Sequence, residues 1–507
     1  MKSKYFNILI LFFLVTVSYG QSLSKAKIMD YAQQKFPEAL SNLESFLKIP
    51  NDGHFPEEIA NNLKWCEMVF NNLDFDVKVI STPGAPLLFA EKIINKKAKT
   101  ILFYLQIDGL PADASAWDQE DPFKPVYKEK TGLNKWQIIN FNPLKDEFNP
   151  DWRLFARSSS DSKGPTVAFI SALEILRDKK IDPEYNIKVI MDFQEELGSP
   201  HLANAVLNNK ELLQANMILI MDGTRHLSNL PTLTYGARGI ARATLKVFGP
   251  RYPLHSGQYG NFAPNPVFHT AKLLGSLKDD NGRVTLPGFY DGIYLDESEK
   301  EMLNNVPENL DSIKKRLGIA KHDAIGHTYQ EVLQYPSLNI RGIQAGWVGS
   351  KVRTIIPSEV ITEIDMRLVP ESDGKRLMEL LKNHIINEGY YLVDSIPTEK
   401  EREKHTKLAS FKYSLGSNPF RTELNGFTGK FLNKALNKIY GQNIVNMRLT
   451  GGSQPMAPFV KTMGIPAVSV RIPNPDNNIH SPNENLRLGN FLQGIETCLA
   501  ILNEPLN

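Results

Sequence analysis

The chain has little of several things. It carries 2 cysteines in 507 residues, so no disulfide framework is possible. Cys66 and Cys498 each lie in an apolar, helical-looking stretch; they read as buried small hydrophobes, with a single disulfide as the alternative. Net charge is nearly absent, at 58 Lys+Arg against 56 Asp+Glu. No basic block occurs, which excludes nucleic-acid binding by phosphate neutralisation. No internal repeat or low-complexity segment is found. After the N-terminus, no apolar run approaches the roughly 20 residues of a membrane helix.

The small positive surplus is local. Residues 1–20, MKSKYFNILILFFLVTVSYG, hold Lys2 and Lys4 and no acid, followed by an apolar core and small residues at Ser18 and Gly20. This is the layout of a secretory signal peptide, and export to the periplasm or the exterior is expected. The remainder balances at zero. With 42% hydrophobic and 22% charged residues, it has the composition of an ordinary globular protein.

Apolar periodicity predicts helices from Ile28 to Leu47 and from Ile59 to Leu73. Short apolar strands then alternate with helices: Val77–Ile80, Ile101–Leu105, a helix from Thr166 to Leu176, Ile187–Phe193 and Met217–Met221. This predicts an α/β domain with a mainly parallel sheet and helices on both faces. From about residue 239 the style changes. Residues 239–248 and 360–369 alternate like half-exposed strands, and a helix follows from Gly374 to Asn387. After about residue 412 the α/β style returns, with helices at Gly426–Tyr440 and Leu488–Leu502 around a strand within Ile465–Ile472. The expected organisation is a signal peptide (1–20), a catalytic domain in two parts (21–238 and 413–507), and an inserted α+β lid or dimerisation domain (239–412).

Carboxylates stand where strands stop. Asp108 follows Ile101–Leu105, Glu195 and Glu196 follow Ile187–Phe193, and Asp222 follows Met217–Met221. Asp161 precedes a helix, and His480 lies in a late polar loop. Ligands of open α/β sheets bind beyond the carboxyl ends of the strands. Desolvated carboxylates gathered there need a cation. Taken singly, each acid also fits a helix cap or turn, and His480 a structural loop residue.

Together the motifs are specific. They are LQIDGLPADASAWDQEDPFKPV (105–126), RSSSDSKGPTVAF (157–169), QEELGSPHL (194–202), MDGT (221–224), TLTYGARGI (232–240), PLHSGQYGNFAPNP (253–266), VRTIIPSEVITEIDMRLVPES (352–372), LTGGSQP (449–455) and HSPNEN (480–485). In this order they resemble the M20 family of metallopeptidases, especially its carnosine dipeptidase-like branch. The resemblance implies an exported two-metal peptidase that hydrolyses dipeptides or short peptides with a free C-terminal carboxylate. Asp161 is then the carboxylate shared by both metals, Glu196 and His480 complete one site, and Asp222 and position 106 complete the other. Glu195 is implied as the general base toward a metal-activated water, with the metals about 3.5–4 Å apart. Asp108 is implied to orient the ligand at position 106.

The chain departs from the family at that position, where Gln106 replaces histidine. Residues i and i+2 of a strand face the same way, so the glutamine is placed to donate to Asp108 and offer its carbonyl oxygen to a metal. Oxygen-only ligands favour Mn²⁺ or Mg²⁺ over zinc. Two arrangements stay open: zinc at the Glu196/His480 site with a harder ion at the Gln106/Asp222 site, or a single ion at the former. By resemblance, His255 reaches the active site of a dimer partner and stabilises the oxyanion. Arg367 binds the substrate carboxylate, and Thr354, Gly452 and Ser453 line the same pocket. Gly451 and Gly452 also suit a close backbone approach to a ligand. Lys163, His201 and Arg448 carry no assignment. Two further readings remain: a catalytically impaired peptide-binding protein, with Gln106 as the lesion, and an N-acyl amino acid deacylase.

Overall fold

The computed structural model describes residues 22–132 and 135–506; the expected signal peptide lies outside them. Two helices open the chain, Lys25–Leu47 and Pro56–Asn72. The first is capped by Ser24, whose hydroxyl accepts from the Lys27 amide, and the second begins with proline at its first position, where a missing N–H costs nothing.

An eight-stranded sheet forms the centre. Its strand order is Asp76–Ile80, Leu87–Lys92, Asn186–Asp192, Thr100–Gln106, Met217–Ile220, Ala467–Arg471, Thr232–Thr234 and Val445–Met447. The four strands from Asn186–Asp192 to Ala467–Arg471 are mutually parallel. Antiparallel pairs flank them on both sides. The parallel strands are buried along all their length but Thr100, because helices cover both faces. On one face pack Lys25–Leu47, Lys163–Lys179, Phe427–Tyr440 and Leu488–Leu502, around residues such as Phe103, Phe169, Leu436 and Phe491. The other face is closed by Leu202–Asn208 and by Met456, Phe459 and Ile465. Helix Lys163–Lys179 buries residues on all sides, since it lies between the sheet and two further helices. Each fully buried leucine or phenylalanine here contributes about 1.5–3 kcal/mol.

A second sheet has the order Ser337–Gln344, Glu359–Leu368, Gly239–Phe248, Leu408–Leu415 and Tyr391–Leu392. Strand Glu359–Leu368 alternates strictly between buried and half-buried positions. Its buried residues meet helices Pro266–Gly275 and Gly374–Asn387, and its other face is open, as the alternation predicts. All five strands fall between residues 239 and 415, while every strand of the first sheet lies outside that span. Strand Leu408–Leu415 runs through the expected boundary at 412. Among the described residues no helix is long and apolar enough to cross a membrane.

A third, four-stranded sheet carries functional weight. Asn485–Arg487 pairs antiparallel with Arg153–Phe155, which pairs with Val126–Gly132. Its register brings the loop after Phe155 against the loop before Asn485, although they are more than 300 residues apart in sequence.

Cys66 and Cys498 are both free and buried, at 0% and 1% exposure. Burial pushes the Cys66 thiol up to about 12 and raises that of Cys498 as well, which makes both poor nucleophiles. A thiol reagent is expected to modify neither in the native protein and both after unfolding in denaturant, as counted by intact-mass measurement. Modification of one in the native state would contradict their packing in the core.

Candidate metal and catalytic centre

Four parallel strands put four carboxyl ends on one sheet edge. There the chain leaves Gln106, turns through Gln194–Glu196 after Asp192, passes Asp222 after Ile220, and runs from Arg471 into the loop that bears His480. Asp161 arrives from a different direction, just ahead of helix Lys163–Lys179. A carboxylate at that end is favoured by the helix dipole.

Among the described residues, Asp161, Glu196 and His480 are the one group of three or more acidic, histidine or cysteine side chains whose ligand atoms converge within 4.8 Å. His480 Nε2 lies 3.1 Å from Asp161 Oδ2 and 3.3 Å from Glu196 Oε2. The carboxylates are buried, at 6% side-chain exposure each, and the imidazole is 56% exposed toward the cleft. Two oxygens and one nitrogen with an open side match a catalytic zinc site. His480 takes a left-handed backbone, with φ +59°, a conformation that is costly unless its surroundings impose it.

The support beneath these ligands is extensive. Glu484, fully buried, accepts at Oε1 from the amides of Ser160 (2.9 Å) and Asp161 (3.0 Å) and from the Ser160 hydroxyl (2.9 Å). Its Oε2 accepts from the Ser158 amide (2.9 Å) and from Arg157 (2.8 Å). One carboxylate thereby fixes the whole approach to Asp161. Asp108 does the same for the glutamate pair: Oδ1 accepts from the Glu195 amide at 2.9 Å and Oδ2 from the Glu196 amide at 3.1 Å. Asp192 ties down the same turn through Tyr104 (2.9 Å), Ser199 (2.6 Å) and the Gln194 amide (2.9 Å).

Gln106 behaves differently from expectation. Its amide nitrogen donates to Glu196 Oε1 at 3.1 Å, not to Asp108, whose oxygens are engaged by backbone amides. Strand pairing explains this, because Gln106 stands opposite Asp192 and so next to the turn that carries Glu196. Asp108 therefore orients the glutamate turn and not the side chain at position 106.

The crowding shows in the acidities. Desolvation first, then Asp222, Glu196, Asp161 and Asp108, hold the Glu195 carboxyl well above its ordinary range. Desolvation and Asp161 raise Asp222, and desolvation raises Asp161 against the pull of His480. Hydrogen bonds donated to Asp161 and Glu196 push His480 up to about 10.

Across the cleft stands the second sheet. A cavity of about 850 Å³ is lined by Glu195, Glu196 and His480 from the first sheet's edge, by Ile240, Arg242 and Arg367 from the second sheet, and by Gly452 and Ser453. Arg367 Nη1 donates to Ser453 Oγ at 3.1 Å. The expected group of Arg367, Gly452 and Ser453 is thus brought together. Neither Gly451 nor Gly452 has a left-handed backbone, and a side-chain carbon at Gly452 would meet nothing within 4 Å, so no protein contact dictates glycine there. His255 and Thr354 do not line this cleft. His255 sits in the short exposed strand Leu254–His255, paired with Ile355–Ile356, and Thr354 is exposed beside it. Lys163 is structural: its ammonium donates to the Phe46 and Ile49 carbonyls at the end of the first helix. Arg448 donates to Gln334 at 2.7 Å and contacts Glu299, and His201 precedes helix Leu202–Asn208. Sequence reasoning missed Glu484, Ser162, Gln454 and Arg471, although Glu484 lies within the same HSPNEN motif as His480.

A mixed α/β scaffold with carboxylates and a histidine at its strand ends, closed by a second sheet, defines a metallohydrolase fold. The profile of Peptidase family M20/M25/M40 matches residues 102–504, and the chain belongs to that family. It is 27% identical over 434 residues to mouse Beta-Ala-His dipeptidase, covering 84% of this chain and 80% of that protein. It is 26% identical over 428 residues to a Cys-Gly metallodipeptidase of Schizosaccharomyces pombe, covering 83% of each. Among solved structures, the M20 family metallo-carboxypeptidase Sso-CP2 of Sulfolobus solfataricus superposes with a TM-score of 0.74 at 27% identity, over 92% of this chain and 98% of that one.

Ion and proton compete for His480, since a metal takes the neutral imidazole. With the imidazolium favoured up to about pH 10, lowering the pH strengthens the competitor. Apparent affinity for a divalent ion is expected to fall about tenfold for each pH unit between 8 and 6. Chelator competition at several pH values measures it, and an affinity independent of pH would contradict the ligand role of His480.

Proposed function

We propose that the protein is an exported dipeptidase, which hydrolyses the amide bond of dipeptides or short peptides bearing a free C-terminal carboxylate. One observation carries this reading: a metal-ligand set of Asp161, Glu196 and His480 with Glu195 beside it, facing Arg367 across one cleft. A divalent ion held by those three side chains would polarise the scissile carbonyl and lower the pKa of water.

The chain's own groups divide the remaining work. Arg367, held by Ser453, presents its guanidinium to the substrate carboxylate and fixes the register of the scissile bond. Glu195 accepts the proton of the attacking water and passes it to the leaving amine. Its crowded, desolvated setting raises its proton affinity, which suits capture of that proton. Asp108 and Glu484 hold the backbone that carries these groups, so little reorganisation is needed during the reaction.

The reading extends to a homodimer through the inserted domain, in which His255 and Thr354 serve the partner's cleft. Its support is threefold. Both residues lie outside the cleft of their own chain. The edge strand Ser337–Gln344 is paired on one side alone. Phe262, Trp347 and Val348 are exposed on the same domain, at 86%, 53% and 86%, and apolar surface of this kind favours association. Export rests on the pattern of residues 1–20.

A panel of dipeptides and N-acyl amino acids, assayed with Zn²⁺, Mn²⁺ and Co²⁺, tests the function. Dipeptide turnover is expected, and Glu195→Gln is expected to lower kcat by about 10²–10⁴-fold with metal content unchanged. Turnover confined to N-acyl amino acids would reassign the substrate. Tight peptide binding without turnover under any metal would favour a binding protein.

A further inference from the structure

The cleft holds a second carboxylate position, between Asp161 and Asp222, where a second divalent ion is expected from the family resemblance. The residues present there do not suit one. The Ser162 hydroxyl stands 3.1 Å from Asp161 Oδ1 and 3.0 Å from Asp222 Oδ1, in the space between the two carboxylates. The other oxygen of Asp222 accepts from Gln454 Nε2 at 3.4 Å. Gln454 is itself oriented by the Ser469 hydroxyl, 3.1 Å from its carbonyl oxygen. Both oxygens of Asp222 thus have protein donors.

Gln106 points the same way. Its nitrogen, and not its oxygen, faces Glu196; the reverse orientation would set two acceptors against each other. The side chain at the expected ligand position therefore spends its amide group on a ligand of the first site.

Positive charge is already supplied from beneath. Arg471 ends the strand Ala467–Arg471 and is buried. It packs over Gly223, the residue after Asp222: a side-chain carbon at Gly223 would lie 1.4 Å from Arg471 Nη1. Gly223 also has φ +85°, so glycine is required there twice over. Arg471 Nε reaches Thr234 Oγ1 at 3.3 Å, and Nη2 has no partner. A buried guanidinium stays charged and would repel a divalent ion beside it.

We propose that this chain holds a single divalent ion, at Asp161, Glu196 and His480, and that Arg471, with Ser162, Gln454 and Gln106, occupies the role of a second ion beside Asp222. Arg471 is a positioning residue: it acts on the site through Asp222 and does not touch the substrate. The inference rests on the metallohydrolase reading above, and a metal count separates the two.

The full chain is saturated with Zn²⁺, or with Mn²⁺ in parallel, freed of loose ion by gel filtration and analysed by elemental mass spectrometry. Wild type is expected to retain one ion per chain. His480→Ala is expected to lose it, and Asp222→Asn to keep it with affinity within about tenfold of wild type. Two tightly held ions in wild type, or loss of the single ion in Asp222→Asn, would overturn the proposal while leaving the hydrolase reading intact. No retained ion of either metal would overturn both. The double variant Gln106→His, Arg471→Met is expected to take up a second ion. A folded double variant that still holds one would remove Arg471 from the account, and if it fails to fold, the Asp222→Asn count decides.

Discussion

Asp161, Glu195, Glu196 and Asp222 are acids that a protein has every electrostatic reason to keep apart, and here they share one sheet edge. Removing them from water favours their neutral forms, and each raises the proton affinity of the next. The structure contains them by holding the backbone and not by diluting the charge. Glu484 and Asp108 are carboxylates too, yet both spend their lone pairs on main-chain amides. They convert two loops into fixed platforms, on which Asp161 and Glu196 each turn an oxygen toward His480. The remaining architecture follows from this requirement. Parallel strands bring the ends together, the small third sheet brings Glu484 to Asp161, and the second sheet closes the cleft from above.

The elements legible in the sequence were those whose pattern is local. Helices Gly374–Asn387 and Leu488–Leu502 begin and end where the sequence pattern placed them, the first from a single apolar stripe and the second from an apolar run buried on nearly all sides. The central strands were legible as unbroken apolar runs flanked by acids. The flank at Asp76–Ile80 was legible too, but the opposite one was not: Thr232–Thr234 and Val445–Met447 are three residues each, too short to show a period, and their pairing is decided by neighbours distant in sequence. Strand Leu408–Leu415 crossed an expected domain boundary, since a change of style in the sequence need not coincide with the end of a strand.

The site divides in the same way. Asp161, Glu196, His480 and Arg367 were reachable through their motifs, and the fold gathers them. The partner of Gln106 was not. Alternation along its own strand pointed to Asp108, whereas the adjacent strand, set opposite by register, supplied Glu196. Gln454 and Arg471 were equally hidden, because nothing about a glutamine or a strand-end arginine marks it as the neighbour of a carboxylate more than 200 residues away, and the approach of Ser162 to Asp222, 60 residues on, is made by the fold. Local signals did exist: Glu484 stands four residues after His480, Ser162 directly after Asp161 and Gln454 directly after Ser453, each in a motif already singled out.

The central claim is that a prearranged set of Asp161, Glu196 and His480 binds the catalytic cation. Anomalous diffraction from crystals of the zinc-loaded protein, collected on both sides of the zinc absorption edge, tests it most directly. An anomalous peak is expected within about 2.0–2.2 Å of Asp161, Glu196 and His480. A zinc peak that lies elsewhere, with these three side chains uncoordinated, would contradict it.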